Sequence, residues 1–234
     1  MKRKDSQPKG RTTAIAIDGP AGAGKSTIAW RAAEALGFLY VDTGSLYRAI
    51  ALFVLKSGVN PSSPAEVCPL LKTLTVALNY ENGNQKVSIN GEDVTGQIRS
   101  AEVSMAASKV SAIPEVRKYL LALQRRLAEE HSVVMDGRDI GTVVLPNARV
   151  KIFLTASADE RARRRYEEMI GKGMKADYEE VLSDLKQRDY KDEHRAISPL
   201  RQAEDAVLID TTGNTLEQSV AELTHIIRSR LAGK

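Results

Sequence analysis

Residues 19–26 have the types and spacing best suited to chemistry in this sequence. They follow the pattern G-x-x-x-x-G-K-[ST], which ends in Lys25 and Ser26. In loops of this pattern the backbone N–H groups and the lysine bind nucleotide phosphates, and the hydroxyl binds magnesium. Gly22 and Gly24 remove Cβ atoms that would keep a phosphate away from the backbone. A glycine-rich turn with a chance lysine is the alternative, but every position of the pattern is present, so the stretch predicts a nucleoside triphosphate site.

The flanking sequence predicts the elements that position this loop. Ala14 to Ile17 is a short apolar run typical of a buried parallel strand. After the loop, apolar residues recur at helical spacing as far as Leu36, and Gly37 stands where a helix-ending glycine is expected. Strand, loop and helix therefore occur in the order that phosphate binding requires.

An acidic residue that follows another apolar run is a second candidate for the same site. Asp136 comes directly after Val133 to Met135 and resembles a Walker-B acid, which would hold the magnesium shell opposite Ser26. The alternative is a plain turn, because Asp-Gly is a common turn dipeptide. The phosphate loop upstream favours the first interpretation.

Arginines gather near the predicted loops. Arg48 lies in the first turns of a helix predicted to begin near Ser45, where a cation is unfavourable for the helix dipole unless it meets an anion. Arg161, Arg164 and Arg165 share one face of a later helix, and like charges at this spacing cost about a few tenths of a kcal/mol each. A phosphate clamp would offset that cost. The alternative in both places is an ordinary solvated charged surface.

Sequence patterns predict the other elements along the chain. Alternating residues at 76–80, 85–90 and 92–94, separated by Asn-Gly turns, predict a small antiparallel sheet inserted into an α/β pattern. Further strands are predicted at 38–41, 150–154 and 207–209. Helices are predicted from Ser63 (with Glu66 in a capping box) to about Leu74, Ser100 to Ser108, Pro114 to Glu130, Asp159 to Gly171, after Asp177, and after Thr215.

The composition limits the class of protein. The chain has 234 residues, 42% of them hydrophobic, which is enough for a packed core. No apolar run approaches the ~20 residues that span a membrane, and the N-terminus lacks the apolar segment of a secretory signal. Cys68 is the only cysteine, which excludes internal disulfides and suits a reducing compartment. We therefore expect a cytoplasmic protein with no membrane partner.

The charge balance leaves two classes of partner open. A net charge of +4 suits either nucleic acid or a site that holds several phosphates. Aromatic residues make up only 5% of the chain, and no aromatic-rich basic patch occurs, so we expect no nucleic-acid partner. Residues 1–11 predict a flexible basic tail, for which attachment to nucleic acid is the alternative.

From Thr13 to its C-terminus the chain resembles bacterial cytidylate kinases. The shared stretches are the phosphate loop, Asp42-Thr-Gly44, Asp136-Gly-Arg-Asp-x-Gly-Thr-Val143, the arginine-rich helix, and Arg188-Asp-x-x-Asp-x-x-Arg195. Other nucleoside monophosphate kinases share the phosphate loop but not the run at 136–143. Two features depart from the family pattern: Thr43 stands where a serine often occurs, and the basic tail is additional.

The resemblance implies an α/β fold with a P-loop kinase core, in which helices flank a five-stranded parallel sheet. A small antiparallel β insert in the monophosphate-binding region and a short helical lid complete it. The kinase domain would span residues 12–234, with a core at 12–56, 130–156 and 196–234, a monophosphate-binding region at about 57–129, and a lid at about 157–195. The implied activity is transfer of the γ-phosphoryl group of ATP to CMP or dCMP by a monomeric, Mg²⁺-dependent phosphotransferase of pyrimidine metabolism.

The resemblance also implies a role for each site residue. ATP would be bound by Gly19, Pro20, Ala21, Gly22, Ala23, Gly24, Lys25, Ser26 and Thr27. CMP would be bound by Thr43, Gly44, Tyr47, Arg48, Ser108, Arg117, Arg138, Asp139, Arg188, Asp192 and Arg195. Of these, Ser108, Arg117 and Asp139 would read cytosine, whose N4 amino group donates to a carboxylate. The catalytic residues would be Lys25, Arg138, Arg161 and Arg165, and the magnesium would be held by Ser26 and, through water, Asp136.

Two other classes of protein contain a phosphate loop. One is a kinase for another small acceptor, such as shikimate or dephospho-coenzyme A, whose site does not call for paired base-reading and sugar-reading groups. The other is a non-catalytic switch or a nucleic-acid-binding ATPase. The Asn-Lys-x-Asp pattern that reads guanine is absent from the sequence, which argues against a GTPase-like switch.

Overall fold

The computed structural model describes residues 12–81 and 84–233, so the tail expected at 1–11 lies outside the described residues. None of the helices in this part of the chain has both the length and the apolar character needed to cross a bilayer. In chain order the elements are β1 (Ala14–Asp18), α1 (Lys25–Leu36), β2 (Leu39–Asp42), α2 (Thr43–Lys56), α3 (Pro64–Leu70), β3 (Val76–Glu81), β4 (Asn84–Ile89), β5 (Glu92–Asp93), α4 (Ala101–Val110), α5 (Pro114–Glu130), β6 (Val133–Gly137), a π-helical turn (Ile140–Val144), β7 (Val150–Thr155), α6 (Ala158–Gly171), α7 (Tyr178–His194), β8 (Val207–Asp210) and α8 (Leu216–Leu231).

Five strands form one parallel sheet in the order β2-β6-β1-β7-β8. The side chains of the central strand β1 alternate between its two faces. Ile15 and Ile17 pack against α1 and α8, whereas Ala16 packs with Met135 of β6 and Leu127 of α5. Helices therefore cover both faces, and the predicted five-stranded parallel sheet flanked by helices is confirmed.

The strand order brings three functional segments together. Strands β2, β6 and β1 are neighbours and run parallel, with Asp42 opposite Asp136 and Asp18 opposite Gly137. Their carboxyl ends therefore meet at one edge of the sheet, which is where ligands bind in open parallel sheets. The phosphate loop follows β1, the first turn of α2 follows β2, and the Asp-Gly-Arg-Asp segment ends β6.

A second sheet consists of β3, β4 and β5, paired antiparallel. Asn90 and Gly91 join β4 to β5 with φ angles of 50° and 88°, as in a two-residue hairpin turn. Val87 and Ile89 of β4 are buried in a cluster with Leu46 of α2. The predicted antiparallel insert is confirmed, whereas the turn expected between β3 and β4 falls on residues 82 and 83, outside the described chain.

Three helices differ from the sequence prediction, and in one of them, α4, the helix ends at Val110 rather than Ser108. Helix α2 begins at Thr43 rather than near Ser45, because the Asp42 carboxylate accepts from the Ser45 N–H at 3.0 Å and caps the helix earlier. Helix α3 ends at Leu70 instead of about Leu74, since the chain after it continues with tighter i to i+3 hydrogen bonds. The capping box predicted at its start is also wrong: Ser63 makes no side-chain capping bond.

A π-helical turn at Ile140–Val144 was not predicted. The carboxylate of Asp18 accepts from the first two N–H groups of the turn, each at 2.7 Å. Burial raises the pKa of Asp18 to about 6, although these two hydrogen bonds oppose the rise. Arg125 of α5 donates to two carbonyl oxygens at the other end of the turn, each at 3.0 Å. The backbone that follows Asp139 is therefore bonded at both ends.

Helices α6 and α7 pack together beside the phosphate loop. Ala21 of the loop belongs to one buried cluster with Ala162 of α6 and with Leu182 and Leu185 of α7. This apolar contact brings the arginine-rich helix next to the loop.

Gly19, the first residue of the phosphate loop, has no room for a side chain. Its φ is 150°, and a Cβ there would lie 1.9 Å from the backbone oxygen of Leu154 in β7. We expect Gly19→Ala to lower the free energy of unfolding by about 3 kcal/mol or more, measured by urea denaturation. Gly96→Ala is the control, because a Cβ at Gly96 meets nothing within 4 Å. Equal stabilities of the two variants would contradict the steric argument.

Candidate active site

Lys25 is the first residue of α1 and is buried. Its Nζ donates to the carbonyl oxygen of Pro20 at 2.6 Å, so the side chain folds back over the phosphate loop. Burial lowers the pKa of Lys25 well below its ordinary value, Arg138 adds to this effect, and Asp136 opposes it. An anionic ligand in the loop would stabilise the charged form of this lysine.

Asp136 lies beside the loop near the end of β6. Its carboxylate oxygens accept from the hydroxyl of Ser26 at 3.0 Å and from the hydroxyl of Tyr40 at 2.9 Å. Burial raises the pKa of Asp136 to about 6; Asp42 raises it further, and Lys25 lowers it. A hydroxyl and a carboxylate are the hard oxygen ligands that Mg²⁺ prefers, so Ser26 and Asp136 fit a magnesium site.

A cavity of about 460 Å³ opens at the carboxyl end of the parallel sheet. This volume is in the range of small-molecule clefts. Its walls come from the phosphate loop, the starts of α1, α2 and α5, helix α4, the end of β6 with the segment after it, and the pair α6–α7. The predicted site residues that line it are Ala21, Gly22, Ala23, Gly24, Lys25, Ser26, Thr27, Thr43, Gly44, Tyr47, Arg48, Ser108, Arg117, Asp136, Arg138, Asp139, Arg165, Arg188, Asp192 and Arg195.

Arginine–carboxylate pairs hold part of the cavity wall. Arg48 pairs with Asp42 at 2.6 Å, and the Nε of Arg138 donates to Asp192 at 2.9 Å. Burial raises the pKa of Asp192, but the guanidinium groups of Arg138, Arg188 and Arg195 together hold it below its usual range. Within the described residues, the buried Nε of Arg48 and Nη2 of Arg195 have no hydrogen-bond partner. Donors of this kind suit an anionic ligand.

The first turn of α2 is tied to β6. The hydroxyl of Thr43 donates to the carbonyl oxygen of Asp136 at 2.7 Å. A Cβ on the neighbouring Gly137 would lie 2.7 Å from that hydroxyl oxygen and 2.7 Å from Ile140. The glycine of the Asp-Gly-Arg-Asp segment therefore allows the close approach of α2.

Asp139 lies in the same cavity with two arginines. It forms an ion pair with Arg117 and faces the Nη2 of Arg195 at 3.6 Å. Arg117 also donates to the carbonyl oxygen of Ser111 at 3.2 Å, and its guanidinium lies 5.6 Å from the ring centroid of Tyr47. Acceptor and donor groups side by side, with an aromatic ring nearby, match the polar edge of a nucleobase.

Comparison with known proteins identifies the family. The family model described as cytidylate kinase matches residues 15–229. The chain belongs to the cytidylate kinase family. A protein named cytidylate kinase from Carboxydothermus hydrogenoformans is 52% identical over 213 residues, which cover 91% of this chain and 96% of the relative. A protein of the same name from Pasteurella multocida is 45% identical over 217 residues, covering 93% and 96%.

A solved structure has the same overall fold as this cytidylate kinase family member. The crystal structure of an uncharacterised protein from Eubacterium ventriosum matches 93% of this chain and 99% of its own, with a TM-score of 0.53. The two sequences are only 14% identical, so the likeness concerns the fold alone.

Three of the predicted site residues do not line the cavity of this kinase. Gly19 and Pro20 are buried at the base of the phosphate loop, where they shape the backbone. The third, Arg161, is buried and bonded within the protein: its Nε donates to Ala156 at 2.9 Å, and its Nη1 donates to Ala21 at 3.0 Å and to Asp189 at 2.6 Å. Arg161 therefore joins α6, α7 and the phosphate loop.

The other arginines of α6 have carboxylate partners on their own helix. Arg163 and Arg164 bond Glu160 at 2.9 and 2.8 Å, and Arg165 bonds Glu168 at 2.9 Å. The like-charge cost that suggested a phosphate clamp is therefore offset by these acids. Of the two arginines expected to close over the phosphoryl group, Arg165 is exposed and lines the cavity, whereas Arg161 is buried and does not line it.

The sequence analysis assigned no role to some residues that line the cavity. Asp42 precedes the predicted helix in the position of an N-cap, and this signal could have identified it. Ser104 lies four residues before Ser108 on α4, and Ser111, the C-cap of that helix, lies three residues after it, so helical spacing places all three on one side. The lining residues without an assigned role are Asp42, Ser104, Ala107, Ser111, Gly137 and Glu168, and Arg164, a member of the predicted phosphate clamp, also lines the cavity.

The position of Arg161 predicts a role in stability. Arg161→Ala is expected to lower the free energy of unfolding by about 3 kcal/mol. The substitution removes the guanidinium that pairs with the largely buried carboxylate of Asp189. Arg163→Ala is the control on the same helix; its ion pairs are exposed, and the expected loss is at most about 1 kcal/mol. Denaturant unfolding without nucleotide measures both. An Arg161→Ala variant as stable as the wild type would refute this role.

Proposed function

We propose that this enzyme transfers the γ-phosphoryl group of ATP to CMP or dCMP, giving ADP and CDP or dCDP. The observation that supports this most strongly is that the phosphate loop, the paired arginines and the Asp139 cluster line one cavity. Membership of the cytidylate kinase family supports the same reaction. Two nucleotides would meet there with their phosphates facing one another.

The phosphate loop would bind ATP. Backbone N–H groups of residues 19–27 would hold the triphosphate, and Lys25 would neutralise its β- and γ-oxygens. Ser26 and, through water, Asp136 would hold Mg²⁺, which supplies charge neutralisation of the phosphates when bound. The hydrogen bond between Ser26 and Asp136 at 3.0 Å supports this pairing.

The other side of the cavity would bind the acceptor. Thr43, Arg48, Arg138 and Arg195 would hold the phosphate of CMP, with Gly44 and Tyr47 shaping its surroundings. Arg188 and Asp192 would bind the sugar hydroxyls. Buried donors on Arg48 and Arg195 that have no hydrogen-bond partner in the described part of the chain support an anion at this place.

Asp139, Arg117 and Ser108 would read the base. The Asp139 carboxylate accepts hydrogen bonds, so it suits the N4 amino group of cytosine. Arg117 and the Ser108 hydroxyl can donate to the N3 and O2 acceptors. Uracil carries a carbonyl oxygen at the corresponding position, which would face the carboxylate unfavourably.

Phosphoryl transfer needs positioning and charge stabilisation more than covalent chemistry. The acceptor is a phosphate oxygen that is already ionised at neutral pH, so no general base is required. Lys25, Arg138 and Arg165 would stabilise the charge that spreads over the transferring group. The segment 157–195 would act as a lid that excludes water, the region 57–129 would enclose the monophosphate, and 12–56, 130–156 and 196–234 would form the core.

We further propose a monomer that acts in the cytoplasm. Donor and acceptor walls both come from one chain, which supports a site that is complete without a second copy. The single free cysteine, Cys68, suits a reducing compartment. ATP and CMP or dCMP would be its partners, without nucleic acid or membrane.

A panel of acceptors tests the proposed function. With ATP and magnesium, we expect the highest kcat/KM for CMP and dCMP among CMP, dCMP, UMP, AMP, shikimate, dephospho-coenzyme A and water. The reason is the Asp139–Arg117 cluster, which a small-acceptor kinase does not need. Faster turnover of shikimate or dephospho-coenzyme A, or ATP hydrolysis alone, would refute the proposal.

Lys25→Ala tests the donor side. We expect kcat to fall by about 1,000-fold, because a buried cation that contacts the transferring group is lost. The fold should remain intact, since the substitution removes a buried charge. Lys191→Ala, at an exposed lysine of α7, should keep wild-type rates. Near-normal turnover of Lys25→Ala would contradict the assignment.

Asp139→Ala tests the base reader. We expect kcat/KM for CMP to fall by an amount equivalent to ~1–3 kcal/mol, while the KM for ATP changes by less than about two-fold. Asp139→Asn should narrow the preference for CMP over UMP, because its amide can donate to the uracil carbonyl. Asp205→Ala, at an exposed aspartate, is the control. Competition assays with CMP and UMP measure the preference. If the ratio of CMP to UMP turnover is unchanged in both Asp139 variants, Asp139 is not one of the residues that recognise the base.

A further inference from the structure

We propose that Gln85 is a positioning residue for the acceptor phosphate, through a bridge from the antiparallel insert to the first turn of α2. The inference rests on the proposed function, because it concerns how the acceptor wall of the cavity is held. Gln85 lies on β4, is half-buried, and does not line the cavity itself. Its effect would therefore act through the residues that it bonds.

The bridge begins at an open edge of the main sheet. β2 is an edge strand, so alternate backbone groups on its outer side lack a strand partner. Side chains of the insert bond two of these groups. Tyr80 of β3 donates its hydroxyl to the carbonyl oxygen of Tyr40 at 3.0 Å, and the side-chain oxygen of Gln85 accepts from the N–H of Asp42 at 2.9 Å. Tyr80 and Gln85 are directly opposite one another in the β3–β4 pair, so one cross-strand pair covers this edge.

The amide nitrogen of Gln85 extends the bridge into α2. It donates to the hydroxyl oxygen of Ser45 at 2.7 Å and lies 3.4 Å from the carbonyl oxygen of Asp42. The Ser45 hydroxyl in turn donates to that same carbonyl oxygen at 2.6 Å. The oxygen and the nitrogen of the Gln85 side-chain amide therefore both bond the start of α2, at its N-cap Asp42 and at Ser45.

This turn holds the arginine of the acceptor wall. One carboxylate oxygen of Asp42 accepts from the N–H of Ser45 at 3.0 Å, and the other accepts from Arg48 at 2.6 Å. A change in the backbone at Asp42 would shift the carboxylate and hence the guanidinium. The Tyr80 contact ends on Tyr40, before this turn begins. Of the two bonds that cover the edge, only the one from Gln85 reaches the residues that orient Arg48.

Paired substitutions separate positioning from simple attachment of the insert. Gln85→Leu removes both hydrogen-bonding ends at similar size, whereas Tyr80→Phe removes the neighbouring contact of the same insert. For Gln85→Leu we expect the Kd for CMP, measured by calorimetry without ATP, and the KM for CMP to rise about ten-fold. The KM for ATP should change by less than about two-fold. Tyr80→Phe should leave the values for CMP within about two-fold of the wild type.

A second variant keeps the test decisive if Gln85→Leu folds poorly. Ser45→Ala removes the other partner of the amide nitrogen with little change in volume, and it should also raise the Kd for CMP. The double variant should bind CMP within about two-fold of Gln85→Leu alone, because both changes break one network. Thermal unfolding of each variant reports the fold separately from the affinity.

The outcomes distinguish this inference from the proposed function. If the wild type does not bind CMP, the proposed function is wrong. If the wild type binds CMP and Gln85→Leu binds it equally well, the function stands and the role of Gln85 is refuted. Equal losses of CMP affinity in Gln85→Leu and Tyr80→Phe would also refute it, because the contact would then only attach the insert. A rise in the KM for ATP in Gln85→Leu as large as the rise in the KM for CMP would also refute the role of Gln85.

Discussion

The pairing of arginines with carboxylates from other elements is the interaction on which this site depends. Guanidinium groups crowded into one cavity repel each other, and each would lose hydration without a partner. The aspartates beside Arg48, Arg117 and Arg138 offset that cost and fix the direction of each guanidinium before any substrate arrives. Such preorganisation is what phosphoryl transfer requires, because the reaction gains mostly from positioned charge. Three such pairs that line the cavity are Arg48 with Asp42, Arg117 with Asp139, and Arg138 with Asp192. Arg195 also faces Asp139 at 3.6 Å, and Arg165 pairs with Glu168 of its own helix.

The parallel sheet makes these pairs possible. Since β2, β6 and β1 are neighbours, the acid that ends β2, the Asp-Gly-Arg-Asp segment and the phosphate loop start side by side. The sequence predicted these strands well because each is a short, continuous apolar run bounded by turn residues. It also predicted the phosphate loop, whose parts are contiguous in the chain. For the same reason, Lys25 and Ser26 could be identified without any knowledge of the fold.

The rest of the site depends on contacts between distant segments. Asp18 bonds the π-helical turn from a position more than a hundred residues earlier in the chain, and no local pattern predicts such a bond. Arg161 shows another limit. Helical spacing placed it on one face with Arg164 and Arg165, but spacing gives direction around a helix and not depth in the protein. Since Arg161 lies where α6 meets the phosphate loop, its guanidinium is buried and bonded to Ala21, away from the cavity.

The insert and the α6–α7 pair each contact the core through a side chain that bonds a backbone group of the site. Arg161 donates to a backbone oxygen of the phosphate loop, and Gln85 accepts from a backbone N–H at the start of α2. Both flanking units therefore bond the main chain of a turn of the site, and Gln85 also bonds the hydroxyl of Ser45, which does not line the cavity. These bonds engage backbone groups and the Ser45 hydroxyl, so none of them occupies a side chain that would contact a nucleotide.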